Sequence, residues 1–565
     1  MIWKKLSLLF VFAFFVRVVG ISSYPIGFTQ DEAGLGYDAY SILKTGKDQW
    51  GKVLPLTFRS FGDFKQPLYV YLTIPSVYLF GLNVFAVRLP SAFFGSLSVL
   101  IVYLLVRELF KSPTFALLSA LMLALSPWHI SLSRGAFEAN LVTFFIPLGI
   151  WAFTKGIKDA KFAWISSFVF GISLFSYHSA RLYTPFLGIL LIVFFRRELT
   201  HSNKFSYSNL LGLISKFKWQ IFLLLIFFTA AVFTNFIGAG RRGIDVSIIN
   251  PTDKWEALKD RRYESVVEGL PDSISRIFSN KVTYVGGQFV RNYINYLSAN
   301  FLFLDGAGSY SYGMVHGRGV LYSFEILTLL IAIIWIVKRK SSRSLTFILI
   351  WLITAPIPAA LSKSNGAAGN RASLMMPSIQ ILSAFGLYIV FQWLSFLKNS
   401  FLRFSGYFLT VFIVFIFTAF FIEDYIFHTP VKAAPSMQYG IEEIFDYINE
   451  NGGKYDRIFL SKRLGVPNIW VAFYQKWDPI DYQMATKDWR RYEAEGRDYL
   501  DQLEHYSLGK YNFGSVDVGK LRETPNTLVI GEPREFHLSQ EAIKTIYYPN
   551  GTVAYKIVES SSLLP

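Results

Sequence analysis

The sequence predicts an α-helical polytopic membrane protein that ends in an extracytoplasmic α/β domain, and three observations carry the prediction. Of 565 residues, 52% are hydrophobic and 55 are Phe, and the mean hydropathy of +0.36 is too high for an ordinary soluble chain. Apolar runs of about 20 residues, the length that crosses a bilayer, recur along the first three-quarters of the chain. Lys and Arg collect in alternate connections between those runs, as they do in cytoplasmic loops. So much apolar surface excludes disorder for the bulk of the chain. The absence of cysteine excludes a disulfide scaffold, thiol catalysis and thiolate metal sites.

The candidate spans are 6–24, 86–106, 114–130, 139–154, 162–178, 182–195, 219–237, 321–337, 345–361, 374–397 and 404–422. The first follows a basic MIWKK start but has no small-x-small cleavage site in ISSYPIGFTQDE, so it reads as a retained anchor. A shorter run, 67–82, carries Pro75 in its middle. If it crossed, every later basic cluster would face outside, so it is expected to lie on the membrane as an interfacial helix. Eleven spans result, with the N-terminus in the cytoplasm and the C-terminus outside. The six cytoplasmic clusters are Lys4/Lys5, Arg107/Lys111, Lys155/Lys158/Lys161, Arg196 to Lys218, Lys338/Arg339/Lys340/Arg343 and Lys398/Arg403. They hold 18 of the 55 Lys and Arg but three of the 39 Asp and Glu, so the formal charge of +16 is an orientation signal facing anionic inner lipids. Nucleic acid is therefore not an expected partner.

Three external regions are large enough for chemistry: 25–85, 238–320 and 423–565. This divides the chain into a transmembrane domain, 1–422, and a terminal domain, 423–565. Within the latter, Ile441, Ile444, Phe445 and Ile448 share one helical face. Strand-like runs are expected at Arg457–Ser461, Ile469–Tyr474 and Thr527–Ile530, and a hairpin around Asn550-Gly551. The aromatics Trp470, Phe473, Tyr474 and Trp477 offer either sugar-stacking faces or the side chains of a packed core strand. No internal repeat stands out.

Immediately past the first span, FTQDEAGLGYDAYSILKTG places Asp31 and Glu32 at the membrane edge, before an amphipathic segment containing Leu35, Ala39, Tyr40 and Leu43. The same loop closes with FGDFKQPLYVYL, which puts Lys65 just ahead of the interfacial run. A carboxylate and a lysine at one depth suit a reaction at a lipid phosphate: one takes a proton, the other steadies the leaving phosphate.

These residues resemble the GT-C glycosyltransferases, whose hallmark is an acidic pair in the first external loop. The basic-Pro-Leu-Tyr stretch, the span VRLPSAFFGSLSVLIVYLLVRELF and the span exit ALSPWHISLSRGAFEANL are similar to the branch of protein O-mannosyltransferases (family 39) and the lipid A aminoarabinose transferase (family 83). The likeness covers residues 6–200 and thins to about 420. It implies a GT-C transmembrane catalytic domain with Asp31 as the general base for the acceptor hydroxyl and Glu138 as the second loop acid. By position it also implies Lys65 as a donor-phosphate ligand, although Gln66 intervenes before the proline. It gives Arg371 the same role, in Asn370-Arg371-Ala372 where the family often shows Arg-Tyr.

Further candidate phosphate ligands are Arg17 inside the first span, Arg134, His178, Arg181, and Arg241 and Arg242 in GAGRRG. Their bland readings are snorkelling for Arg17, an i,i+4 pair with Glu138 for Arg134, and helix-end structure for His178. Asp31 and Glu32 could hold a hard cation, but the resembling families mostly need none, so no metal or other cofactor is expected. The expected activity is inverting transfer of a sugar from a polyprenyl-phosphate donor to a protein, glycan or lipid hydroxyl. It would take place outside the cytoplasmic membrane. The alternative is a polytopic transporter or lipid flippase, which would show repeated halves and broken helices.

Overall fold

The protein is described here from a computed structural model covering residues 2–200, 207–239, 247–249, 254–308, 311–338, 342–363, 367–497 and 499–564. Nine helices build the first third: α1 (Ile2–Val18), α2 (Gln30–Thr45), α3 (Pro67–Phe80), α4 (Val84–Phe110), α5 (Pro113–Leu125), α6 (Pro127–Ser133), α7 (Val142–Gly156), α8 (Ala160–Ser173) and α9 (His178–Phe194). Their ends follow from local chemistry. Thr29 and Glu32 form a capping box that opens α2, and Gly46, at φ +70°, closes it in the left-handed region. Proline occupies the first position of α3, where its missing N–H costs nothing.

The described residues include five helices long and apolar enough to cross a bilayer: Val84–Phe110, Lys218–Ile237, Arg343–Ala360, Ser373–Ser395 and Ser400–Ala433. The chain is thus a multi-pass membrane protein. The expected span 114–130 is not straight, because Pro127 ends α5 and starts α6 at a 59° bend. The remaining expected spans are also helical, but as pieces of 14 to 17 residues: α1, α7, α8, α9 and Glu325–Lys338. The expected interfacial run is α3, whose 14 residues reach about 21 Å.

The described residues include eight strands, numbered in chain order. β1 (Phe58–Arg59) and β2 (Phe64–Lys65) form a hairpin between α2 and α3, with Phe58 opposite Lys65. The other six make one sheet: β3 (Arg457–Ser461), β4 (His505–Leu508), β5 (Tyr511–Gly514), β6 (Thr527–Gly531), β7 (Lys544–Tyr547) and β8 (Val553–Glu559), ordered β4-β5-β3-β6-β8-β7. β3 runs parallel to β5 and β6, and the outer pairs are antiparallel. The hairpin expected at Asn550-Gly551 joins β7 to β8, with Gly551 at φ +82°. The expected helical face at Ile441, Ile444, Phe445 and Ile448 is buried on the helix Ile441–Asn451.

One expectation fails. Ile469–Tyr474 is not a strand; it lies in the helix Pro467–Tyr474. The run is buried on every side, so its apolar pattern had no period to read, and Pro467 starts a helix as readily as it ends a strand. Trp470 and Phe473 are core residues of that helix.

Packing ties the terminal region to the segment from the end of α1 to α3. One apolar cluster runs from Phe28, Ala33, Tyr37 and Trp50 through Tyr69 and Val87 to Ile444, Trp470, Tyr482 and Phe513. Polar contacts follow the same seam: the Tyr37 hydroxyl donates to the Trp477 carbonyl at 3.1 Å, and the Leu500 N–H to the Phe61 carbonyl at 3.1 Å. Arg59 pairs with Glu493 and donates to the Tyr492 hydroxyl at 2.6 Å. The approach is closest at Gly27, φ +72°, where a Cβ would collide with the Met437 backbone. Gly27→Ala is therefore expected to destabilise the protein by about 1–3 kcal/mol. Gly188→Ala, with nothing within 4 Å of the added carbon, is the control. Thermal unfolding in detergent reads both, and an unchanged midpoint for Gly27→Ala would contradict the close seam.

Candidate active site

The first turn of α2 presents two neighbouring carboxylates to different surroundings. Asp31 points outward, its side chain 42% exposed, and its Oδ1 lies 2.9 Å from Lys65 Nζ. The lysine is buried beneath it at 8% exposure and also lies 3.9 Å from Asp63 Oδ2. The β1–β2 register sets its position, because Lys65 closes the hairpin just before α3, and the Thr57 hydroxyl donates to its carbonyl at 3.2 Å.

Glu32 turns inward and is fully buried. Arg88 of α4, equally buried, donates from Nε to Oε1 at 2.8 Å and from Nη2 to Oε2 at 3.1 Å. The Ala136 N–H adds a bond to Oε1 at 2.9 Å and the Thr29 N–H one to Oε2 at 3.0 Å. The same guanidinium donates to the carbonyls of Ile21 and Pro25, both at 2.9 Å, and of Gly27 at 2.6 Å. A carboxylate with its oxygens so committed holds structure in place. Both oxygens of Glu32, expected with Asp31 and Glu138 among the catalytic acids, are engaged in these bonds. The signal for Arg88 in the sequence is a charge inside an apolar run.

Glu138 sits in the short turn Glu138–Asn140 between α6 and α7, and its Oε1 accepts the Gln66 N–H at 3.0 Å. Gln66 itself is fully buried. Its Oε1 accepts from Arg181 Nη2 at 2.6 Å, and its Nε2 lies 3.1 Å from His178 Nδ1. The residue that interrupts the expected Lys-Pro pattern thus connects Lys65, by adjacency, to Glu138, His178 and Arg181.

Asp31, Glu32, Lys65 and Glu138 line one cavity of about 450 Å³, together with Phe137, Tyr177, Tyr312, Asn370, Ser436 and Gln438 among others. Its wall is therefore shared by the segment from α2 to α3, the α6–α7 turn, the loop before the helix Ser378–Ser395 and the chain entering the terminal region. Gln438 is fixed there, because its Oε1 accepts the Gln30 N–H at 2.7 Å.

The other expected phosphate ligands among the described residues are not in that lining. Arg17 is buried and donates to the Ala13 carbonyl at 3.0 Å and to His129 Nδ1 at 2.8 Å, so it does not snorkel and is spent inside the helix bundle. Arg134 donates to the carbonyls of Val16 at 2.6 Å and Val19 at 2.7 Å, capping the end of α1. Arg181 and His178 act on Gln66, and Arg371 donates to the Ser362 hydroxyl at 2.9 Å and to the Lys363 carbonyl. Arg241 and Arg242 lie outside the described residues.

Asp38, on α2, and Asp48, just past its end, are not in the cavity lining. Burial, reinforced by the adjacent Asp48, holds the Asp38 carboxyl above its usual range, against two opposing hydrogen bonds from Gln49. Among the described residues, Glu423, Asp424 and His428 bring three possible metal-ligand atoms within 4.8 Å of one another. That cluster is away from the cavity lining, and Asp424 already pairs with Arg318.

The Glu32–Arg88 pair yields a direct prediction. Arg88→Met strands a buried carboxylate and is expected to cost about 3–5 kcal/mol of stability. The double variant Glu32→Gln/Arg88→Met should recover much of that loss. Denaturant unfolding in detergent checks it; equal losses in the single and double variants would contradict the pairing.

The family described as dolichyl-phosphate-mannose-protein mannosyltransferase matches residues 65–222, a segment that begins at Lys65. YkcB of Bacillus subtilis (strain 168), provisionally named a mannosyltransferase, is 31% identical over 110 residues. That alignment is 19% of this chain and spans 15% of the relative's length. Among solved structures, apo ArnT from Cupriavidus metallidurans covers all of both chains at 12% identity with a TM-score of 0.52. Its form bound to undecaprenyl phosphate gives 0.51 at 12% identity, covering 100% of this chain and 99% of that one. The chain spans 63% of the oligosaccharyltransferase AglB from Archaeoglobus fulgidus, with 83% of its own length, 16% identity and a TM-score of 0.46. With a family match over the segment that carries Lys65, Arg88 and Glu138 and a fold shared with ArnT over its whole length, the chain is similar to the GT-C membrane glycosyltransferases.

Proposed function

We propose that the protein is an inverting glycosyltransferase that moves a sugar from a polyprenyl-phosphate donor to an acceptor hydroxyl at the outer face of the cytoplasmic membrane. The observation that carries this reading is the single cavity in which the outward carboxylate of Asp31 meets the ammonium of Lys65 at 2.9 Å, with Glu138 in the same wall. The likeness to ArnT, solved with undecaprenyl phosphate, supports a polyprenyl-phosphate donor.

In this mechanism Asp31 takes the proton of the acceptor hydroxyl as that oxygen attacks the anomeric carbon from the face opposite the phosphate. The bond from the anomeric carbon to the phosphate oxygen breaks, and its electron pair leaves with the lipid phosphate. Lys65 has three N–H donors, so it can stay with Asp31 while stabilising the charge that grows on the leaving oxygen. Phosphate departs as a stable anion, so no general acid is required. Glu138, oriented by the Gln66 backbone, is the second carboxylate at the acceptor side. Glu32 and Arg88 position Asp31. The acceptor is a hydroxyl of a protein, a glycan or a lipid, and the terminal region contributes Ser436 and Gln438 to the wall it would meet. Eleven spans with the terminal region outside complete the proposed topology, which follows the clustering of basic residues.

Asp31→Asn is expected to lower transfer at least about 100-fold while lipid-donor binding stays within about threefold. Purified protein in proteoliposomes, supplied with labelled undecaprenyl-phosphate sugars and membrane acceptors, measures both. Turnover kept by Asp31→Asn would remove the base assignment. Lys65→Met should weaken binding of bare undecaprenyl phosphate as well as turnover, because it removes a charge aimed at phosphate. Unchanged lipid-phosphate binding would contradict that role.

A further inference from the structure

Sequence points to Arg371, yet the structure turns that side chain toward Ser362 and Lys363 and puts its neighbour Asn370 in the cavity wall. Asn370 is 6% exposed. Its Nδ2 donates to the Tyr177 hydroxyl at 3.4 Å, and among the described residues its Oδ1 has no hydrogen-bond partner. A buried amide oxygen left without a donor is rare and costly, and in a cavity wall it points to a ligand group. The loop that carries it is pinned. Trp128 Nε1 donates to the Gly369 carbonyl at 2.9 Å, and the Ala368 N–H donates to the Tyr296 hydroxyl at 3.3 Å. The Gly308 N–H donates to the Ala367 carbonyl at 3.1 Å. With the backbone held at three points, the oxygen is pre-positioned for a partner.

The chemistry of the missing partner follows from the atom. An amide oxygen only accepts. A lipid phosphate brings acceptors and belongs with Lys65, whereas a sugar ring brings hydroxyl donors. Beside Asn370 the wall also carries Phe137, Tyr177 and Tyr312, whose ring faces suit the C–H faces of a sugar. We infer that Asn370 Oδ1 accepts a hydrogen bond from a hydroxyl of the donor's sugar, which makes Asn370 a residue that selects the sugar. The inference rests on the lipid-linked donor proposed above and adds to it a recognition residue on the pinned loop before the helix Ser378–Ser395.

The test is equilibrium binding to the full-length protein in nanodiscs. The probes are undecaprenyl phosphate alone and undecaprenyl phosphate carrying mannose, glucose or galactose. Wild-type protein is expected to bind at least one sugar-bearing lipid about tenfold more tightly than the bare lipid. Asn370→Leu is expected to bring that ratio to within about twofold of one, with bare-lipid binding unchanged. Asn370→Asp, which keeps an acceptor oxygen, should retain the ratio within about threefold. If Asn370→Leu fails to bind the bare lipid, Asn370→Ala takes its place as the test of the lost oxygen. A ratio preserved in Asn370→Leu overturns the inference alone, as does its loss in both Asn370→Leu and Asn370→Asp. The absence of any sugar-dependent tightening in the wild type overturns the donor reading itself, and this inference with it.

Discussion

The buried pair of Glu32 and Arg88 is the constraint around which the site is organised. One guanidinium collects the Glu32 carboxylate and three backbone carbonyls of the segment leaving α1. One carboxylate collects that guanidinium, the N-cap of α2 and the Ala136 N–H two residues before Glu138. Two opposite charges out of water are stable when such bonds saturate them, and removing either leaves the other stranded. The pair therefore fixes the start of α2, and with it the direction of Asp31, relative to α4 and to the turn that carries the second acid.

Gln66 provides the complementary fixing on the other side of the cavity. Its backbone holds Glu138, and its amide ties α3 to His178 and Arg181 at the start of α9. The terminal region closes the arrangement from outside the helices. Arg88 lies 5.6 Å from the Phe28 ring centroid, and Phe28 packs 4.8 Å from Phe473 in the helix Pro467–Tyr474. The residues that shape the cavity and the apolar core of the terminal region are thus one packed continuum, and the α/β part is built into the site it borders.

Much of this was legible in the sequence where the signal was local. Asp31 and Lys65 announce themselves as charges beside apolar runs, and the structure puts them in contact. The hairpin at Asn550-Gly551 and the buried face of Ile441, Ile444, Phe445 and Ile448 were visible as a turn dipeptide and a period. What stayed hidden depends on distance along the chain. Nothing near Glu32 reveals a partner 56 positions later, and Arg17, Arg134 and Arg371 look like available cations until the carbonyls and hydroxyls that occupy them are seen. Gln66 looked like an interruption of a pattern because its partners lie more than 70 residues away. The helix Pro467–Tyr474 was misread because complete burial erases periodicity.

The central claim is that a carboxylate at the membrane edge activates an acceptor for direct displacement of a lipid phosphate. Direct displacement fixes the stereochemistry. The measurement that tests it is the anomeric configuration, by NMR, of the glycoside formed by the reconstituted protein from an undecaprenyl-phosphate sugar of known configuration. The account predicts a product of the opposite configuration; a product that keeps the configuration of the donor would contradict it.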